Sequence, residues 1–137
     1  TLGYPDRASE RALLAGTDRR HLLAGLGAVM TPAELVQAQA AVHRVHAGDA
    51  LLDYLQALIA ATRSGQWFVE GLSPRAGIAI LRAARARALL AQRDYVAPDD
   101  IQAILPQTAA HRLVPVGNAG RGRVEQVRAM VQAVGIP

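Results

Sequence analysis

Neither cysteine nor lysine occurs anywhere in the 137 residues. Without cysteine there are no disulfide frameworks, thiolate metal sites or cysteine nucleophiles. Without lysine there is no Walker A phosphate loop, no Schiff-base lysine and no lysine general base. Aromatic residues make up 4% of the chain, which leaves few rings on which nucleic-acid bases would stack. Long apolar runs are missing too. The stretch from Leu22 to Met30 is the longest without charge or strong polarity, far below the roughly 18 residues a membrane helix needs. No secretory leader is visible, and Thr1-Leu2-Gly3 does not resemble a natural start. The expectation is a soluble cytoplasmic piece of a longer protein, with no membrane contact.

What is present is arginine. All fifteen basic residues are Arg, and against eleven acids they give a net charge of +4. Residues 1–70 hold six Arg and seven acids, a net of −1, and residues 71–137 hold nine Arg and four acids, a net of +5. The C-terminal half is therefore where an anionic partner would engage, either nucleotide phosphate or nucleic acid.

The 28 alanines, the few β-branched runs and repeated start signals point to helices throughout. Asp6 suits the cap of a first helix reaching about Leu14. Leu22, Leu23 and Leu26 allow one short amphipathic turn. Thr31-Pro32-Ala33-Glu34 reads as a capping box with proline at the first helical position. The helix behind it sets Leu35, Ala38, Val42 and Val45 on one face and stops near Gly48. Asp49 opens the next, with Leu52, Leu55, Ile59 and Thr62 as its apolar side. After a connector with Trp67 and Phe68, Ser73-Pro74 starts a helix to about Gln92, and another begins at Pro98. A loop from Leu113 to Arg123 precedes a last amphipathic helix, Val124 to Val134. The fold class expected is all-α, a small bundle of five or six helices.

Few residues combine into a site. His43 and His46 share a helix face at a spacing of three, but a metal needs further ligands, and Asp49 is the nearest acid. His21 and His111 stand alone, so no metal site is expected. No Ser, His and acid arrangement marks a nucleophile, and Asp99-Asp100 reads as helix-start electrostatics. The loop from Gly117 to Arg123 lacks the lysine and hydroxyl of a phosphate loop. Ser73-Pro74-Arg75 is different. It puts a guanidinium in the first turn of a helix, against the helix dipole, where an incoming anion would meet both backbone N–H groups and the Arg. Arg82, Arg85 and Arg87 follow on the same helix. Arg82 lies about 20° from Arg75 around the axis and about 10 Å further along it.

Gly71-Leu72-Ser73-Pro74-Arg75-Ala76, Leu81-Arg82-Ala83-Ala84-Arg85-Ala86 and Arg93-Asp94-Tyr95-Val96-Ala97-Pro98-Asp99-Asp100 resemble the lid of MoxR-type AAA+ ATPases. Tyr54, Thr62-Arg63 and His111-Arg112-Leu113 fit the same pattern. The opening Leu2-Gly3-Tyr4-Pro5-Asp6 through Glu10 is similar to the seam where that family's nucleotide-binding core ends. The resemblance covers roughly residues 2–113. It implies residues 1–5 as the end of the core, 6–113 as the helical lid, and 114–137 as a loop and helix packed on it. It implies Arg75 as the sensor 2 residue that reaches the terminal phosphates of ATP, with Ser73 and Pro74 shaping its turn. It further implies ATP and Mg2+ in the whole protein, hexameric ring neighbours, chaperone-like action, and partners with von Willebrand factor A domains. The core motifs that hydrolyse ATP are not in this chain, so by itself it is expected to be inactive. Two positions depart from the family pattern: Ala97 where a capping Thr or Ser is usual, and Leu72 where a small residue is usual.

Two readings from other classes stand beside this one. A basic module would bind nucleic acid through Arg82, Arg85, Arg87, Arg121 and Arg123, although helix-turn-helix spacing is lacking and no specific nucleic acid is expected. A protein-interaction bundle is the other.

Overall fold

The computed structural model describes residues 3–16, 23–117 and 122–136. Among them are helices α1 (Arg7–Ala15), α2 (Pro32–Arg44), α3 (Asp49–Arg63), α4 (Pro74–Leu90), α5 (Pro98–Ala109) and α6 (Arg123–Ala133), with a 3-10 turn at Ala110–Arg112. There is no β-strand among the described residues, and the all-α bundle expected from the sequence is what forms. The chain divides into two units, residues 1–34 and 35–137.

In the first unit, helix starts follow from side-chain acceptors. The Asp6 carboxylate accepts the Ser9 N–H at 2.8 Å and so caps α1. That backbone bond holds the Asp6 carboxyl below its usual range. Thr31 and Glu34 complete the reciprocal box. The Thr31 hydroxyl oxygen accepts the Glu34 N–H at 3.2 Å, and Glu34 accepts the Thr31 N–H at 2.7 Å. The Thr31 N–H likewise lowers the Glu34 carboxyl. α1 buries none of its residues, and Leu13 and Leu14 stay exposed. Leu22, from the short turn expected there, lies outside the described residues, as does His21.

The second unit holds the core. On α3 the buried positions are Leu51, Tyr54, Leu55, Leu58 and Thr62. That corrects the expected face, because Leu52 is exposed and Ile59 only half-buried. Counting in steps of three and four from Leu51 collects Tyr54 and Leu58 instead. Tyr54 resolves the conflict, since its ring is 1% exposed and its hydroxyl accepts from Gln102 Nε2 at 3.0 Å across on α5. Ala76, Ile80, Ala84 and Ala88 face inward from α4. Gly77 lets α3 and α4 approach, because a Cβ there would stand 2.6 Å from Ile59 Cδ1. Ile101, Leu105 and Ala109 of α5, with Val127 and Met130 of α6, close the core at under 2% exposure.

Backbone pairing ties the connectors down. His46 donates its N–H to Asp94 O and accepts from Val96 N, at 2.7 and 2.9 Å. Phe68 is bridged to Pro115 through two bonds, Val69 N–H to Val114 O and Val116 N–H to Trp67 O. α4 ends in a Schellman motif. Gln92 N–H bonds to Leu89 O and Arg93 N–H to Ala88 O, with Gln92 left-handed at φ 56°.

The segment after that turn holds a buried ion pair. Asp100 is fully buried, and Arg93 grips both of its carboxylate oxygens at 2.7 and 2.8 Å. Asp100 also accepts the Ala97 N–H at 2.9 Å, and Arg87 Nε stands 3.5 Å away. The Arg93 hydrogen bonds hold the Asp100 carboxyl well below its ordinary range despite burial, and the same bonds raise the Arg93 guanidinium. Asp100 is thus a packed ion-pair member and more than a helix-start charge. With Ala97 at the cap of α5, the Ala97 N–H bond keeps the Asp100 half of a capping box, while the Asp100 N–H that a hydroxyl at 97 would accept bonds the Ala97 carbonyl at 3.0 Å.

Candidate functional site at the start of α4

Ser73 sits in extended backbone at φ −73° and ψ 160°, and its Oγ accepts the Ala76 N–H at 3.3 Å. Pro74 follows at the first helical position, where its missing N–H costs nothing. Arg75 is therefore committed to the first turn, and that turn holds no acidic residue. Its side chain is exposed and has no ion-pair or hydrogen-bond partner among the described residues. A cation so placed is disfavoured by the helix dipole by a few tenths of a kcal/mol or more. The arrangement favours an anion, which the Arg75 N–H and guanidinium would share, since Ser73 takes the Ala76 and Gly77 N–H groups.

The turn itself is fixed from α3. Thr62 is fully buried, donates its hydroxyl to Ile59 O at 2.6 Å, and accepts the Leu72 N–H at 3.0 Å. The next residue, Arg63, turns its Nε and Nη2 onto the Leu72 carbonyl at 2.8 and 2.7 Å. Both backbone polar groups of Leu72, the residue before the cap, are thus satisfied by two consecutive α3 side chains. Leu72 adds its own anchor, with its side chain 3% exposed in the core. Gly71 makes room, since a Cβ there would lie 2.8 Å from Arg63 Cα and 2.2 Å from its Cγ.

The other sequence candidates do not join this turn. His43 and His46 are both exposed, and no group of His, Asp or Glu able to hold a metal exists among the described residues. His46 serves instead through its backbone, in the pairing with Asp94 and Val96. Arg82 is exposed, whereas Arg85 is half-buried with an unpartnered Nε, and Arg87 leans on Asp100. Arg123 is exposed at the start of α6, and Arg121 lies outside the described residues. His111 accepts from Arg112 Nε at 3.1 Å. No helix among the described residues is long and apolar enough to cross a membrane.

Comparison with known proteins bears on the family and the fold. The model of the AAA lid domain family matches residues 60–134, more than half of the chain and the whole of α4, α5 and α6. The chain belongs to the AAA lid domain family, and the relatives it resembles include MoxR proteins. It is similar to the uncharacterized protein YeaC of Bacillus subtilis, 34% identical over 99% of this chain and 43% of that protein. It is similar to the chaperone MoxR1 of Mycobacterium tuberculosis, 31% identical over 99% of this chain and 39% of that one. Protein MoxR of Methylorubrum extorquens is 41% identical over 49% of this chain and 21% of its own length. A crystal structure from Cytophaga hutchinsonii, of a protein provisionally assigned as an ATPase, shares the fold. It has a TM-score of 0.76 at 24% identity, covering 99% of this chain and 45% of that one. The chain thus spans about two fifths of the length of the two relatives that match it throughout.

Proposed function

We propose that this lid senses bound ATP through Arg75 as the sensor 2 arginine and thereby supports ATP hydrolysis in a chaperone-like ring, in the cytoplasm. The supporting observation is the guanidinium itself, exposed and unpaired among the described residues, in the acid-free first turn of a helix whose start is clamped. These residues fit a terminal phosphate: a planar fork beside the Arg75 N–H, the N–H of the first turn that Ser73 does not take, held where charge spreads over phosphoryl oxygens. They do not fit Mg2+, for which the described residues offer no carboxylate cluster. The metal and most of the nucleotide contacts would come from the core. On this reading residues 1–5 end the core, 6–113 form the lid proper, and 114–137 supply a loop and a helix packed on it. Ring neighbours, in a hexamer, and proteins with von Willebrand factor A domains complete the proposed set of partners.

Arg75 does one thing here. It offers two parallel N–H donors to oxygens that gain charge in the transition state, and so stabilises that state more than the bound substrate. Arg75→Ala in the intact ATPase should lower kcat/KM by roughly tenfold to a thousandfold, about 1.4–4 kcal/mol. The melting temperature should stay nearly unchanged, because the side chain is exposed and makes no ion pair or hydrogen bond among the described residues. Arg82→Ala, about 10 Å further along the helix, should be milder. Equal ATPase rates for wild type and Arg75→Ala, at saturating and at limiting ATP, would sink the assignment.

A further inference from the structure

Arg75 is three residues beyond Leu72, and nothing within those three residues fixes where the turn stands relative to the rest of the lid. The Ser73 cap is local, since it closes α4 on itself. Besides the buried Leu72 side chain, what ties the turn to the bundle is the grip of Thr62 and Arg63 on the Leu72 backbone, ten and nine residues away along the chain. We infer that Arg63, with Thr62, is a positioning residue for Arg75, setting the point from which the sensor guanidinium reaches the phosphate. The inference rests on the nucleotide-sensing reading of Arg75.

Three features separate this from ordinary packing. The Arg63 guanidinium has no carboxylate partner among the described residues, so its charge is not used in an ion pair. It donates twice to one carbonyl, which fixes direction as well as distance. Gly71 leaves out a side chain that would collide with the Arg63 backbone, so the close approach is built into the sequence on both sides. A chain that needed only to close the loop between α3 and α4 had a simpler means in the buried Leu72 side chain alone. A phosphate sensor needs more, because a displacement of about 1 Å costs up to a hundredfold in rate.

The test is a double-mutant cycle on steady-state ATPase of the intact protein, with Arg63→Ala, Arg75→Ala and the pair. Arg63→Ala should lower kcat/KM by about tenfold to a hundredfold, mostly in kcat, because the contact it serves tightens in the transition state. In the Arg75→Ala background the same change should cost less than about twofold, since a positioning residue has nothing left to position. Arg63→Lys, which keeps the charge and loses the fork, should fall between. Thr62→Val, nearly isosteric, should follow Arg63→Ala and speed hydrogen exchange at the Leu72 amide while leaving that of Ile80 unchanged. It carries the cycle if Arg63→Ala fails to fold. Equal losses in both backgrounds would overturn the inference, as would full activity of Arg63→Ala. Either result leaves the Arg75 reading standing if Arg75→Ala alone is impaired. Unchanged ATPase in Arg75→Ala overturns that reading and this inference together.

Discussion

Asp100→Asn is the substitution most likely to unfold the lid without touching the candidate site, and its cost follows from the contacts. The native carboxylate is 0% exposed and accepts three short hydrogen bonds, two from Arg93 and one from the Ala97 N–H, with Arg87 Nε further off at 3.5 Å. Asparagine keeps the shape and one acceptor oxygen but turns an NH2 donor toward a donor. Bonds to charged groups contribute about 1.5–3 kcal/mol each. Part is regained because the Arg93 side chain, 28% exposed, rehydrates. The net loss should be about 3 kcal/mol, the lower end for one partner of a buried pair. At about 4–8 °C per kcal/mol for a unit of this size, melting should drop by roughly 12–24 °C. The pH dependence checks the cause. Because the folded Asp100 carboxyl lies below its ordinary value, its stabilisation is fully present above about pH 4, the unfolded value. It is lost as pH falls from there through the lowered folded value. Asp6 and Glu34 are lowered as well, but both proteins keep them, so the wild-type minus variant difference isolates Asp100. Circular dichroism melts from pH 7 to pH 2 provide the curve. A variant melting within about 2 °C of wild type at pH 7, or a difference that does not shrink on acidification, would refute the reasoning.

Glycine geometry gives two further tests. Gln92→Gly should stabilise the chain by about 0.5–1 kcal/mol, seen as a higher urea midpoint, because an L residue at φ 56° carries a left-handed penalty that glycine escapes. A lower midpoint would mean that the Gln92 side chain makes a contact the Schellman turn needs. Gly71→Ala should cost about 1–3 kcal/mol, since the new methyl meets the Arg63 backbone, although Gly71 itself is exposed. Gly77→Ala, although buried, should stay within about 1 kcal/mol of wild type. There the methyl meets only the swinging tip of Ile59, and alanine's helix preference offsets the crowding. The reverse order of midpoints would show that burial, not the kind of atom met, decides the outcome.

The fold was legible wherever a local rule decides an element. Asp6, Thr31 with Glu34, and Ser73 with Pro74 each cap the helix assigned to them, because a cap is a bond between residues three apart. The α3 face was not legible to the same degree. Ala, Leu and Ile crowd that helix so densely that two overlapping stripes fit the sequence, and packing against the rest of the core, including the Tyr54 to Gln102 contact with α5, selects one of them. The burial of Asp100 was missed for a related reason. An acid in a first turn satisfies the dipole rule wherever it points, while its burial depends on Arg93 arriving from the turn before α5.

Arg75 could be singled out because a cation in a first turn breaks a rule, and broken rules mark function. The clamp on the Leu72 backbone breaks none. Thr62 and Arg63 close a helix as any polar pair would, and what they grip is a backbone N–H and a backbone carbonyl. Every non-proline residue offers those groups, so the gripped residue can be Leu72 or almost anything else and leaves no imprint in its own identity. The imprint falls one position earlier, on Gly71, whose missing Cβ is the space the Arg63 backbone occupies. A glycine beside a helix-capping serine reads as ordinary turn chemistry until the partner is known. Side-chain to backbone contacts of this kind therefore become visible only with coordinates.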